Sequence, residues 1–318
     1  MISKPTVLVL GAGASQPYGF PVGRELAETV CKEFVANGEP GKHFRNTPFS
    51  EELLDTFRDE PGVTARLIQE FASAFRESAC NSLDDFVQAV GNRRFLLLVK
   101  AAIICKLITS ENRDALLAAD SAKDWYTYLF QYLRTPQVDG FEGNQLKVIT
   151  FNFDRSFERR LFLMIKGNYG LTDEQAAHVA QTIPVFHVHG SLGGCAWLGD
   201  GQLVPRDYTP TGSSEQKLKI LSQIRLVHEE LPDAAMQDAW KWLHAARSII
   251  FLGFGYHELL LSRLKMDQPY EATVYGSVLG FSASERDRIA HRFRSGRLNL
   301  TFFENGLSFL RQIAAVLE

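Results

Sequence analysis

The sequence predicts an α/β fold: a Rossmann-like doubly wound parallel sheet with a large all-helical insertion. Three observations lead there. A short continuous apolar run, Val7-Leu8-Val9-Leu10, stops in Gly11-Ala12-Gly13-Ala14-Ser15; strand and helix patterns alternate from about residue 144 to the end; and the hundred or so residues between show helical patterning and no convincing strand. Unbroken apolar runs suit strands buried on both faces, and strand–helix alternation suits a parallel sheet. We therefore assign residues 1–40 and 144–318 to one Rossmann-like unit and 41–143 to the insertion.

In chain order, Pro21 opens a helical pattern (Leu26, Val30, Phe34) that should stop near Asn37-Gly38. Within the insertion, Leu53/Leu54/Phe57 and Leu67/Phe71/Phe75 have helical spacing. Ser82-Leu83-Asp84-Asp85 reads as a helix cap before Phe86 and Val90, and Phe95–Leu117 and Trp125–Leu133 continue the series. The charged residues of this insertion are expected on solvated faces and its Phe and Leu stripes in the core. Strands are expected at Leu146–Phe151, Pro184–Val188, Ile249–Leu252, Ala272–Leu279 and Leu298–Phe303. Helices are expected at Arg155–Ile165, after the Thr172 cap, at Ser214–Glu230, Asp233–Ala246 and Glu258–Leu264, after the Ser282 cap, and at Leu307–Leu317. Gly190–Gly212 is a long Gly- and Pro-rich loop, of a length that is usually functional or mobile.

Composition narrows the class. The 34 basic and 37 acidic residues leave a net charge of −3, so no overall positive field draws the chain to nucleic acid or to anionic lipid. The four cysteines form no CxxC pair, which argues against a four-cysteine zinc module and suits a reducing cytoplasm. No apolar stretch reaches the roughly 20 residues of a membrane span, and Val7–Leu10 is too short for a signal-peptide core. We expect a cytoplasmic protein without a membrane or direct nucleic-acid partner.

Ligands of open parallel sheets bind beyond the carboxyl ends of the strands, where the strand order reverses. Four segments leave strand ends with unusual residues: Gly11–Ser15, Thr150–Asp154, His187–Ser191 and Gly253–Glu258. Gly11 and Gly13 allow the close backbone approach that a pyrophosphate needs, though Gln16 stands where a GxGxxG motif has its third glycine, and a plain turn fits equally. Asn152 and Asp154 sit two apart after an apolar run, as ligands of a bound molecule or as a backbone bond and a helix cap. His187 and His189 also alternate; with no third ligand at suggestive spacing, a histidine base fits better than a metal pair. Gly253-Phe254-Gly255 is a second glycine-lined strand exit, suited to a ribose or phosphate, or to a plain connection. No GKS/T loop, HExxH or GxSxG occurs.

Taken together in this order, the segments resemble the sirtuin-like family of NAD-consuming proteins. Gly11-Ala12-Gly13-Ala14-Ser15 with Gly19-Phe20-Pro21 is similar to the family's GAGxS…GIP loop. Thr150-Phe151-Asn152-Phe153-Asp154 matches its TQNID position, His189-Gly190 its HG, and Gly253-Phe254-Gly255 its later glycine segment. Only Cys195 follows His189, where deacetylating sirtuins carry two cysteine pairs, and Gly23 replaces their loop phenylalanine while Arg24 is kept. With the large insertion, these departures look like the bacterial sirtuin-like NAD hydrolases of antiviral defence.

The resemblance implies NAD as substrate, no zinc, and hydrolysis of the nicotinamide–ribose bond. Asn152 would position water and ribose, His189 would act as base, and Asp154 would orient the ribose or fix the Asn152 loop. Gly11, Ala12, Gly13, Ala14, Ser15 and Pro21 would hold the pyrophosphate side, and Gly253, Phe254 and Gly255 the adenosine side. It also implies a gated effector of antiphage defence, as a homo-oligomer or with a HerA-type ATPase or another defence component. The rival readings are a protein deacylase or ADP-ribosyltransferase, and a non-catalytic nucleotide-binding assembly module.

Overall fold

A computed structural model describes residues 1–34, 47–78, 80–199, 204–294, 297–301 and 305–318. The expected helix stop at Asn37-Gly38, the start of the insertion at Gly41 and the last two residues of the strand expected to end at Phe303 lie outside them.

The strands in chain order are β1 (Thr6–Leu10), β2 (Leu146–Thr150), β3 (Val185–His187), β4 (Gly194–Cys195), β5 (Pro205–Arg206), β6 (Ser248–Leu252), β7 (Thr273–Ser277) and β8 (Leu298–Thr301). Six of them form one all-parallel sheet in the order β3-β2-β1-β6-β7-β8, while β4 and β5 pair separately inside the long loop. The chain winds outward from β1 in one direction, then restarts at β6 and winds outward in the other. The order therefore reverses between β1 and β6, which places the ligand crevice of such a sheet above those two strands.

Why β1 is apolar throughout follows from its position. Leu8 and Leu10 face one core and Val7 and Val9 the other, and all four are buried. Ile250 and Leu252 alternate with Ile249 and Phe251 on β6 in the same way. Burying each such side chain contributes about 1.5–3 kcal/mol. The second core rests on helix Asp233–Ala245 through Met236, Ala239 and Leu243.

The first core belongs largely to residues between β1 and β2, which are helical throughout the described part: Pro48–Thr56, Ala65–Glu77, Leu83–Val90, Arg93–Ser110, Arg113–Leu117 and Trp125–Leu133, then a 3-10 turn. Phe71, Phe75, Phe86 and Phe95 form an aromatic knot at its centre, with ring centroids 5.2–5.9 Å apart. The same core continues without a break into Leu8, Leu10 and Val148, so these helices make the layer that covers one face of the sheet.

Two expectations need correction. The apolar series Phe95–Leu117 is two helices, broken because Glu111 turns inward after Ser110 and Asn112 caps the next helix. The helix that starts at Ser214 ends at Gln223 rather than Glu230, because Arg225 leaves it to bond both ways with His189.

The charges of the helical region are also not all solvated. Glu111 is fully buried and accepts from Arg155 Nε at 2.9 Å, from Arg155 Nη2 and from Arg206 Nη2. Arg155 is equally buried and donates to the carbonyls of Gly194, Arg206 and Asp207 at 2.7, 2.8 and 3.1 Å. Lys100 pairs with Glu229, and Asp84 accepts from the Val227 N–H. Each spans from the helical layer to the Rossmann half, so periodicity along one helix could not reveal it.

Removing one partner of a buried ion pair costs about 3–5 kcal/mol, because the other charge stays unanswered. Glu111→Ala should therefore lower the free energy of unfolding by that amount, read in a urea titration as a lower midpoint at unchanged slope. A change within about 0.5 kcal/mol would mean that the two arginines are satisfied without the carboxylate.

Candidate functional site

The four strand exits meet at the carboxyl edge of the sheet. Gly11 N–H donates to Leu252 O and Gly13 N–H to Gly253 O, both at 3.0 Å, which ties the first exit to the fourth. Asn152 Nδ2 donates to Gly11 O and to Ser15 Oγ, each at 3.0 Å, which ties the second to the first. The rings of Phe151 and Phe153 lie 5.6 and 6.4 Å from that of His189, and Phe151 stands 5.2 Å from Phe254. Three aromatic rings and the imidazole thus weld the second, third and fourth exits together.

The glycines serve this meeting first of all. A Cβ on Gly11 would stand 2.5 Å from Gly253 O, and one on Gly253, whose φ is +61°, would stand 2.1 Å from Ala14 N. Two backbones are packed where a side chain has no room. The Gly11 and Gly13 amides are already spent in that contact, so Ala12 and Gly13, exposed at the loop's lip, are what it presents outward. Ala14 and Ser15 are buried, and Pro21 is half-buried just before helix Gly23–Phe34. Phe254 is buried among Phe151, Phe251 and Tyr256, so only its backbone is left for a ligand, whereas Gly255 is exposed with open space around it.

Asn152 and Asp154 converge on Ser15. Asp154 Oδ1 accepts from Ser156 N at 3.0 Å and from the Ser156 hydroxyl, from one residue before the Arg155 N-cap of helix Ser156–Tyr169, and its carboxyl also lies within reach of Ser15. Burial pushes its pKa above the usual carboxylate range, against the pull of those hydroxyls. Tyr126 closes the cluster, its OH 2.7 Å from Ser156 Oγ.

The two histidines take opposite partners, and the partners dictate their charge. His187 stands between two acceptors, Asn152 O at 2.9 Å from Nδ1 and Glu158 Oε1 at 2.6 Å from Nε2. Both nitrogens donate only if the ring is protonated. Burial opposes that charge, but the charge and hydrogen bond of Glu158 outweigh it and raise the pKa. His189 has one acceptor, Arg225 O at 2.9 Å from Nδ1, and one donor, Arg263 Nη1 at 3.1 Å from Nε2. It must carry its proton on Nδ1 and keep the Nε2 lone pair, which makes it neutral. Burial, aided by the Arg263 charge, lowers its pKa to about 4.

Three of these residues escaped the sequence reading. Glu158, Arg225 and Arg263 each sit in or beside a helix pattern that gives a charged residue no distinction, and each gains its role from a partner at least 29 residues away. A cavity of about 840 Å³ is lined by Glu158, His187, Gly190, Ser191 and Arg225 among others, but not by Asn152, His189 or the two glycine exits.

No family model matches the chain, and no curated protein matches it. Solved structures with a similar fold include a Sir2 homologue in complex with NAD (15% identity, TM-score 0.42, covering 98% of this chain and 90% of that one). Sir2 with a p53 peptide and NAD+ (15% identity, TM-score 0.38, covering 98% and 92%) is another. A third is Sir2Tm bound to a propionylated peptide (16% identity, TM-score 0.40, covering 98% and 92%). Among the described residues no helix is long and apolar enough to cross a membrane.

Two outcomes follow from the geometry. Gly253→Ala, which meets both a positive φ and a backbone nitrogen, should cost about 2 kcal/mol or more, whereas Gly255→Ala should stay within about 0.5 kcal/mol in the same urea titration. Equal losses would mean that the loop-on-loop contact yields easily. By nitrogen-detected NMR, His187 should titrate above about 6.5 and His189 below it. An unfolded His189 takes up its proton near 6.5 and the folded one only near 4, so its stabilising share is complete above 6.5 and lost as pH falls towards 4. For His187 the sign is reversed: its share is complete below 6.5 and lost as pH rises through its folded value. Titration of the two rings in the opposite order would overturn the assignment.

Proposed function

We propose that the chain is an NAD hydrolase, which cleaves the nicotinamide–ribose bond with water and releases nicotinamide and ADP-ribose. What carries the reading is the meeting of the four strand exits at the reversal of strand order, around an amide and a neutral buried histidine.

Nicotinamide leaves as a neutral ring, so the departing group needs no acid. The demand is for stabilisation of an oxocarbenium-like ribose and for a base that takes the proton of the attacking water or of a ribose hydroxyl. Both amide hydrogens of Asn152 are held by Gly11 O and Ser15 Oγ, which leaves Oδ1 as the atom it offers to ribose or water. His189 keeps a free-base nitrogen throughout the neutral pH range, as a general base requires, and such a base contributes about 10²–10⁴ in rate. Asp154 is buried against Ser156 and Ser15, so its role is to fix the Asn152 loop rather than to touch substrate. The exposed backbone at Ala12, Gly13 and Gly255 forms the lip for the dinucleotide's phosphates and adenosine.

In the present arrangement the Nε2 lone pair of His189 is covered by Arg263, whose other nitrogen donates to Glu229 O at 2.6 Å. Turnover requires Arg263 to withdraw, which fits an enzyme that is held off until triggered. A role as a gated cytoplasmic effector of antiphage defence, as a homo-oligomer or with a HerA-type ATPase, is supported by the motif resemblance. Transfer of ADP-ribose or deacylation of a protein acceptor is the second reading, favoured by the 840 Å³ cavity beside Glu158 and His187.

Purified chain with Arg263→Ala, which uncovers His189, should release nicotinamide from NAD without any peptide and faster than the unaltered chain, followed by chromatography. Asn152→Ala and His189→Ala should each reduce the rate at least about 100-fold. Turnover retained in either variant overturns these roles, strict dependence on an acyl-peptide selects the transfer reading, and NAD binding without turnover even in Arg263→Ala, where His189 Nε2 is uncovered, selects the assembly module.

A further inference from the structure

Away from the strand exits, three side chains from three parts of the chain face one another. Asp85 lies in the first turn of helix Leu83–Val90, His228 in the segment that follows helix Ser214–Gln223, and His257 immediately before helix Glu258–Arg263. One donor atom from each lies within 4.8 Å of the other two. We propose that Asp85, His228 and His257 form a binding site for a borderline transition-metal ion of the Zn²⁺ class, with a fourth position open to solvent.

The donor set matches that class. Two imidazoles and one carboxylate suit zinc, cobalt or nickel, whereas Mg²⁺ and Ca²⁺ need mostly oxygen ligands. With metal–ligand bonds of about 2.0–2.2 Å, a tetrahedral site sets its donors about 3.4 Å apart. His228 Nε2 already stands 3.4 Å from Asp85 Oδ1, and the two imidazole rings meet edge to face with centroids 5.8 Å apart. Closure therefore asks for side-chain rotation only, since Asp85 and His257 are exposed.

The present bonds of these donors are weak competitors. The 3.4 Å contact between His228 and Asp85 is longer than a good hydrogen bond. His257 Nδ1 accepts from Leu259 N–H at 3.3 Å, again at the weak end. A ligating imidazole must carry its proton on the other nitrogen, so metal uptake at His257 ends that helix cap. Helix Glu258–Arg263 ends in Arg263, the residue that covers His189, and His228 is adjacent to Glu229, whose carbonyl holds Arg263. The site thus joins the helical layer to the two segments that hold His189 closed.

The test uses the full chain without an affinity tag, stripped with chelator and titrated with Co²⁺, by calorimetry and by visible absorption. One equivalent should bind, with the absorption of a cobalt–imidazole site, while Mg²⁺ gives no heat. His228→Ala and His257→Ala should each weaken binding at least about tenfold, the least that loss of even an outer-sphere partner of a metal ligand costs. Asp85→Asn, which keeps the shape, should weaken it too. Absence of one-to-one Co²⁺ binding, or equal affinity in the His228→Ala/His257→Ala double variant, would overturn the site. The binding readout is independent of NAD turnover, so the site stands or falls apart from the proposed reaction.

Discussion

Glu111, Arg155 and Arg206 are shut off from solvent, so the charge each carries has to be answered inside the protein. Their mutual bonds provide the answer, and they have a directional consequence. Arg155 directly follows Asp154, so fastening its guanidinium to Glu111 and to the carbonyls of the long loop sets where the Thr150–Asp154 exit stands. Arg206 anchors the far side of that loop through the carbonyls of Leu192, Thr209 and Thr211. Taking such charges from water costs several kcal/mol per ion, which only complete pairing offsets. The arrangement is therefore specific: a shifted helical layer would leave charges unpaired.

The same layer supports the other exits. Trp125 Nε1 donates to Ala14 O at 2.8 Å, and Tyr18 stacks on Tyr126 at 3.9 Å, so the end of the helical region grips the glycine loop from behind. Lys100 and Asp84 hold the segment that carries Arg225, whose carbonyl sets the tautomer of His189. What looks like an insertion along the chain is, in space, the support for three of the four strand exits.

The chemistry of the two histidines rests on this support. They are two residues apart and have the same intrinsic pKa, yet one faces two acceptors and the other an acceptor and a donor. Their charges are set by Glu158 and Arg263, which belong to different helices. Alternation along the strand could not separate them, because it describes direction and says nothing of what waits there. The glycine loop teaches a related lesson. Gly11 and Gly13 do need close backbone approach, but the approach they make is to Gly253, within the protein itself.

By itself the sequence determined the parallel sheet, its buried first strand, the helical character of the residues between β1 and β2, and the order of the four strand exits. These are local or periodic properties: burial on both faces demands an unbroken apolar run, and each glycine exit follows its strand directly. Only the tertiary structure decided which exits touch, that Glu111, Lys100 and Asp84 turn inward, where the helix from Ser214 ends, and which histidine stays neutral. All of these depend on charges and carbonyls brought together from distant parts of the chain, and a Coulomb or hydrogen-bond partner leaves no periodic trace along either segment that supplies it.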